Sequence, residues 1–311
     1  MENYDLIVIG AGGAGLAGGM YAARLGLKTL ILGKTSGFEL PVGGVITTTD
    51  IVENYPGFTK ISGFELAKKL EGHTRSYDLA TIKKEEAIEV KKGKGNFLVK
   101  TKKGDYSGKT ILFSTGTQWK KLGIPGSFEF ERKGVNYCAL CDAPLYKDKI
   151  VAVIGGSDAA AKDALVLAKH AKKVYIIYRG EAIHPERINL QRIKDSKNIE
   201  VINKTNLTEI FGKERVEEVD LDKPYKGKKK LKLDGVFVAI GHDILSGLAE
   251  KIGVKLNEKK EIIINHKTSE TNVPGVYAAG DVTDKQFKQL ITGVADACTA
   301  AYSAYEFLGK K

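Results

Sequence analysis

Short apolar runs that end on glycine alternate with longer stretches of helical periodicity over most of the chain. Asp5 to Ile9 reads as a buried strand, followed at once by Gly10-Ala11-Gly12-Gly13-Ala14-Gly15, a helix to Leu25 and a strand from Lys28 to Leu32. A second helix is predicted from about Gly63 to His73. The alternating segments near Ala87–Lys92 and Asn96–Thr101 predict an antiparallel meander, turned by Gly93, Gly95 and Gly104. Thr110 to Ser114 is a buried strand that ends in Thr115-Gly116, and Pro125-Gly126 then breaks the pattern. A strand from Lys149 to Ile154 runs into Gly155-Gly156-Ser157-Asp158-Ala159-Ala160, a helix to His170 and a strand from Val174 to Tyr178. Short strands with Lys-Gly turns fill Ile199 to Ile240, up to Gly241-His242-Asp243. Val276 to Ala279 is again apolar and leads through Gly280-Asp281 to a long helix from about Gln286 to Leu308. On that helix Leu290, Val294, Ala297, Ala301 and Tyr305 share one face and are expected in the core.

The strand, glycine turn, helix and strand at residues 149–178 repeat those at 5–32 in order and spacing. An internal repeat of this kind predicts an α/β fold with two Rossmann-like domains, each a three-layer ββα sandwich, the second inserted into the first. The expected boundaries are 1–116 with 246–311 for one domain and 117–245 for the other. In the first turn, Gly10 permits the tight bend, Gly12 lets the backbone approach a pyrophosphate and Gly15 lets helix pack on strand. The diphosphate then rests at the helix N-terminus, where unpaired N–H groups favour an anion. The acid that usually ends the second strand, to hold a ribose, is replaced by Gly33-Lys34. The second turn carries Ser157 and Ala160 in place of the later glycines.

With 311 residues, 42% hydrophobic and 28% charged, the chain is long enough for two full cores. No apolar run is long enough to span a membrane. The N-terminus enters a strand directly from Met1-Glu2-Asn3-Tyr4, which points to the cytoplasm. The net charge of +11 is dispersed over lysines in strand-connecting loops without interleaved aromatics, so no nucleic-acid partner is expected. Three cysteines do not make a disulfide scaffold.

Cys138-Ala139-Leu140-Cys141-Asp142 lies just upstream of the second turn. Cysteines three residues apart can close a disulfide across one turn, and Asp142 can deliver or take the proton that thiol chemistry needs. Half a zinc site or two adjacent buried thiols are the alternatives. A zinc site needs two further ligands, yet only Cys298 and five scattered His remain. The pair therefore reads as a redox dithiol, and Cys298 as a buried structural thiol.

Taken together these residues resemble the low-molecular-weight thioredoxin reductases, two-dinucleotide-domain flavoproteins. The shared features are the Gly10–Gly15 loop, Gly43-Gly44 with Thr47-Thr48-Thr49 and Val52-Glu53-Asn54-Tyr55-Pro56-Gly57, the Cys138-x-x-Cys141-Asp142 placement, and Gly280-Asp281-Val282. The resemblance implies FAD in the first site, held by Gly10, Gly12, Gly13, Gly15, Gly44, Asn54, Thr115, Gly116, Gly280, Asp281, Lys288 and Gln289, the last placed on the final helix. Lys288 stands where the family has arginine, and Val45 where it has glutamine. It further implies NADPH or NADH at Gly155, Gly156, Ser157, Asp158, Ala159, Arg179 and His184 in the second domain, a thioredoxin or glutaredoxin-like partner, and a homodimer.

The family's His-Arg-Arg-x-x-x-Arg signature for a 2′-phosphate corresponds here to Tyr178-Arg179-Gly180-Glu181-Ala182-Ile183-His184. Losing two guanidinium contacts removes roughly 3–6 kcal/mol of phosphate preference, part of which Lys172, Lys173, His184 or Arg187 could restore. The implied route runs from NAD(P)H through FAD to Cys138–Cys141 and on to a partner disulfide. Cys141 would face the flavin, Cys138 would attack the partner, and one domain would rotate on hinges near residues 117 and 245. Two other readings share the fold: a reductase fed by ferredoxin or a reduced deazaflavin, and a flavin redox sensor without turnover.

Overall fold

A computed structural model describes residues 1–33, 42–49 and 51–309. Strand β1 (Glu2–Ile9) is apolar on both faces, as a parallel strand covered on both sides must be. Ile7 and Ile9 point into one core layer with Leu30, Leu32, Ile111 and Phe113. Leu6 and Val8 point into the other, with Leu16, Ile31 and Leu112. After the first glycine turn come α1 (Gly13–Arg24) and β2 (Thr29–Leu32). Helix α2 (Gly63–Arg75) starts where the Ser62 side chain accepts the Glu65 N–H, an N-cap that satisfies one otherwise unpaired donor.

Strand β3 (Ala80–Lys83) was not expected from the sequence. All four of its residues are half-buried, because it is the outer strand beside β2, so it shows neither alternation nor a buried run. The meander follows as β4 (Ala87–Lys92), β5 (Phe97–Thr101) and β6 (Asp105–Phe113). β6 begins earlier than its apolar run. Its first half pairs antiparallel with β5, while its whole length runs parallel to β1.

The chain then crosses into a second unit through β7 (Thr117–Trp119). That unit spans Trp119–Asp243, and the first comprises Met1–Gln118 with Ile244–Lys311. Its elements are β8 (Val135–Asn136), the single turn α3 (Ala139–Asp142), β9 (Ile150–Ile154), α4 (Asp158–Ala168), β10 (Lys173–Ile177), α5 (Arg187–Asp195) and β11 (Ile199–Ile202). An antiparallel sheet of β12 (Leu207–Gly212), β13 (Val216–Tyr225) and β14 (Lys228–Lys232) follows, then β15 (Gly235–Val238). The parallel sheet has the order β11-β10-β9-β15-β8. Its strands also divide their side chains between two layers: Ala152, Ile154, Val236 and Val238 on one face, Val151, Val153 and Phe237 on the other.

The chain returns through β16 (His242–Ile244), which pairs with β7, and continues with α6 (Gly247–Glu250), β17 (Val276–Ala278) and α7 (Leu290–Gly309). β17 completes the first unit's parallel sheet by pairing with β6. The fold class is therefore the expected one, two Rossmann-like layers with helices against parallel sheets. Two details of the last helix differ. It begins at Leu290 rather than Gln286, and its buried face carries Gly293, Asp296, Ala297, Ala300, Ala301 and Ala304, while Tyr305 is exposed. The reason is close packing on α1. A Cβ at Gly18 would lie 3.2 Å from that of Ala297, so small residues rather than large apolar ones make this contact.

The first turn depends on the same closeness. A Cβ at Gly15 would lie 1.8 Å from the Gly10 carbonyl oxygen and 2.6 Å from Ser114 Oγ. Gly15→Ala is expected to lower stability in urea or guanidinium unfolding by about 2–4 kcal/mol, the range for a strained backbone plus overpacking. An exposed control, Gly72→Ala in α2, has nothing within 4 Å and should be neutral or slightly stabilising.

Candidate functional site

The first glycine turn is a cradle made of backbone. Gly10 has φ +116°, and a Cβ there would meet the Ser114 carbonyl oxygen at 2.2 Å, so only glycine makes this bend. Gly12 is the N-cap of α1, which has no side-chain cap and no acid in its first turn. Among the described residues no side chain caps its first N–H groups, and the helix dipole adds partial positive charge there. Gly43 N–H donates to Ala11 O at 2.8 Å, and a Cβ at Gly44 would stand 3.1 Å from Gly12 Cα. Two glycine backbones in contact at a bare helix start fit a diphosphate. Gly33 closes β2 as read from the sequence, whereas Lys34 lies outside the described residues.

The remaining first-site residues fall into two groups. Asn54 and Gln289, 235 positions apart, meet: Asn54 Nδ2 donates to Gln289 Oε1 at 3.0 Å. Gln289 sits just before α7 and not on it, its carbonyl accepting the Gly293 N–H. Gly280 (φ +79°) lies 3.1 Å from where a Gly293 Cβ would be, which brings Asp281 to the start of α7. Lys288 Nζ donates to Asp281 O at 3.0 Å and is ion-paired with Glu261. Burial pushes the Glu261 carboxyl up, but hydrogen bonds from Lys288 and Asn257 outweigh it and hold it below the usual range. The Lys288 ammonium is thus engaged with the protein, and Glu261, 27 residues upstream, carried no sequence signal. Thr115 and Gly116 stand at a joint: Thr115 Oγ1 donates to Leu245 O at 2.6 Å and Leu245 N–H to Gly116 O at 3.1 Å.

The second turn has the same backbone and a different surface. A Cβ at Gly155 would meet Ala239 O at 2.2 Å. Ser157 occupies the N-cap of α4 without making a side-chain cap. Asp158, in the first helical turn, accepts from Glu186 N–H at 3.0 Å and Asn189 Nδ2 at 2.8 Å, with Lys162 Nζ 2.8 Å away. Burial raises its pKa, yet those three partners prevail and it stays below the ordinary carboxylate range. Its carboxylate therefore ties the 179–189 segment to the turn. Gly156 is covered by the Tyr178 ring, and His184 N–H donates to Gly156 O at 2.8 Å. Ala159, Arg179, His184 and Arg187 are exposed, and Glu181 pairs with Lys204. Lys172 precedes β10 and Lys173 opens it, so both lie at the strand end opposite the turn; Lys173 is paired with Glu200 at 2.8 Å. That end is away from the turn at which Lys172 and Lys173 were expected to help restore the phosphate contact.

Cys138 and Cys141 form a disulfide with Cα atoms 5.3 Å apart. β8 delivers the chain to Cys138 at the C-terminal edge of the second unit's parallel sheet, and Ala139, Ala143 and Tyr146 anchor the turn in its core. Asn136 Nδ2 donates to the buried Tyr146 hydroxyl at 2.7 Å, which closes the anchor. Cys141 N–H donates to Cys138 Sγ at 3.1 Å. Cys138 is buried and Cys141 exposed, the reverse of what a partner-facing Cys138 needs, so that sulfur has to be uncovered before it can attack. Burial raises the Asp142 carboxyl above its ordinary pKa, favouring the protonated acid beside the sulfurs. Cys298 is half-buried rather than fully buried, and burial pushes its thiol up to about 11, so it stays protonated near neutrality. Among the described residues no group of His, Cys, Asp or Glu could hold a metal ion, and no helix is long and apolar enough to cross a membrane.

A family model described as pyridine nucleotide-disulphide oxidoreductase matches residues 4–299. The thioredoxin reductase of Treponema pallidum (strain Nichols) is 35% identical over 311 residues, covering 98% of this chain and 97% of that one. Among solved structures, Lactococcus lactis thioredoxin reductase superposes with a TM-score of 0.92 at 31% identity, over 99% of this chain and 100% of that one. The T. acidophilum thioredoxin reductase gives 0.91 at 37% identity, over 98% and 99%. With a disulfide at the edge of one dinucleotide-type sheet and a bare glycine cradle in another, this chain belongs to the pyridine nucleotide-disulphide oxidoreductase family, among its low-molecular-weight thioredoxin reductases.

Proposed function

We propose that this protein is a FAD-dependent thioredoxin-disulfide reductase that uses NADPH or NADH. The observation that carries the reading is the Cys138–Cys141 disulfide, built on a single helical turn at the C-terminal edge of a parallel sheet. The discontinuous first unit is the FAD-binding domain. Gly10, Gly12, Gly13 and Gly15 would hold the diphosphate, and Gly44, the Asn54–Gln289 pair and Asp281, whose carbonyl accepts from Lys288, would hold the flavin part. The unit carrying the dithiol is the NAD(P)H-binding domain. The chemistry supplied by bound FAD is two-electron relay between the nicotinamide and the disulfide.

Two electrons and two protons then leave by thiol–disulfide exchange with a thioredoxin or glutaredoxin-like protein. Cys138 thiolate attacks one sulfur of the partner disulfide, and the other partner sulfur departs and takes a proton. Cys141 thiolate next attacks Cys138 Sγ, reforming the internal disulfide and releasing the second partner thiol. The Cys141 N–H that touches Cys138 Sγ favours negative charge on that sulfur, and Asp142, its pKa raised by burial, is the acid placed to supply a proton to the departing thiolate.

Purified protein loaded with FAD should be yellow and should bleach anaerobically on addition of NADPH or NADH, then recolour when oxidised thioredoxin is added. Bleaching by neither nicotinamide, but by reduced ferredoxin or reduced deazaflavin, would transfer the reading to a different donor. A protein that refuses FAD would end it. Cys141→Ser should accumulate a mixed disulfide with thioredoxin, visible on non-reducing gels, whereas Cys138→Ser should not; the opposite pattern reverses the two roles.

Asp142→Asn should slow dithiol exchange about a hundredfold, the usual contribution of a positioned acid. The sign of the pH dependence follows from the raised pKa. The protonated acid is present at low pH and survives above the usual carboxyl range, then is lost as pH climbs through the raised value. The wild-type exchange step should therefore lose its acid-assisted component with rising pH, and Asp142→Asn should lack that decline.

A further inference from the structure

The two units each carry a glycine turn, so one can be compared with the other. Gly33 follows Gly10 by 23 residues and comes directly after β2; Tyr178 follows Gly155 by the same 23 and comes directly after β10. In a dinucleotide-binding fold this is the position that faces the adenosine ribose. In the first unit the atom nearest to a Cβ at Gly33 would be the Ala11 methyl, at 2.6 Å. The second unit exchanges the sizes, with Gly156 in place of Ala11 and Tyr178 in place of Gly33.

The Tyr178 ring lies over Gly156. A Cβ at Gly156 would be 2.5, 2.6 and 2.7 Å from its Cδ2, Cγ and Cδ1. The other end of the ring meets Gly180, whose Cβ would stand 2.5 Å from Cε1, 2.7 Å from Cζ and 2.8 Å from the hydroxyl. The slot between these glycines is fastened by backbone bonds: His184 N–H to Gly156 O at 2.8 Å, Lys204 N–H to Gly180 O at 2.9 Å and Thr205 N–H to Tyr178 O at 3.1 Å. The His184 ring leans on the tyrosine with centroids 5.5 Å apart. Any side chain at position 180 would run into this ring, so Gly180 and the seated tyrosine form a matched pair. Tyr178 is half-buried, so the ring is not enclosed by the core.

We propose that Tyr178 limits dinucleotide affinity at the second nucleotide site, its ring seated where the adenosine ribose of a nicotinamide dinucleotide would lie. The dinucleotide binds when the ring has left its slot, and affinity is reduced by the fraction of molecules in which it has. The inference rests on reading this turn as the nicotinamide site.

The test is calorimetric titration of the full-length, FAD-loaded, oxidised protein with NAD⁺ and NADP⁺, which bind without delivering hydride. Tyr178→Ala and Tyr178→Ser should bind both about tenfold or more tightly than wild type, and Tyr178→Phe should match wild type. If the wild type binds and the small variants bind no tighter, the ring is a platform or a bystander and the proposal fails alone. If neither wild type nor the small variants bind either dinucleotide, the nicotinamide reading falls with it. Unfolding of both small variants on thermal melting would make Tyr178 a core residue and equally end the proposal.

Discussion

Backbone approach closer than a methyl group allows is the constraint on which this architecture depends. At the first turn, Gly10 and Gly15 stand where a Cβ would fall within 1.8–2.2 Å of a carbonyl oxygen. That closeness lets the strand turn directly into the helix and leaves the helix start covered by backbone alone. Gly12 against Gly44 extends the same surface into the next segment. The principle continues away from the site, where glycines of α1 receive the alanine face of α7. Each alanine buries little apolar area, so that contact gains its strength from many short dispersion contacts rather than from large side chains.

The two turns share a backbone and differ in electrostatics. α1 opens with no acid and no cap, so its N-terminal field is available to an anion. α4 opens with Asp158, a carboxylate already satisfied by Asn189, Lys162 and a backbone N–H, so part of the field is spent on ordering the following loop. A duplicated fold thus carries one turn with a bare helix start and one whose entrance is shaped by side chains. The dithiol gains from the second arrangement, because α3 packs in the same core that supports α4. Its geometry is set by buried alanines and a hydrogen-bonded tyrosine rather than by loop flexibility.

The electrostatics at the dithiol come from position as much as from residue type. Asp142 acquires a raised pKa through burial alone, with no neighbouring carboxylate to assist. Cys298 shows the opposite use of burial: the same desolvation makes its thiol unreactive. Two kinds of sulfur in one chain are thus separated by a backbone N–H and a carboxyl group beside the Cys138–Cys141 pair.

Strands β1, β2, β9 and β10, both glycine turns and the meander were legible because parallel buried strands and glycine-dependent bends leave local marks: an apolar run, then a residue type that alone fits. The disulfide was legible for the same reason, since its partners lie three residues apart. Strand β3 left no mark, being an edge strand whose residues are all half-buried. The apolar stripe of α7 was read toward Tyr305, but its partner helix is lined with glycine and selects alanines instead. The Asn54–Gln289 bond, the Lys288–Glu261 pair and the ring of Tyr178 over Gly156 join positions that are 235, 27 and 22 residues apart. Local periodicity carries no information about pairs so far apart along the chain; they exist only once the sheets have brought the strand ends side by side.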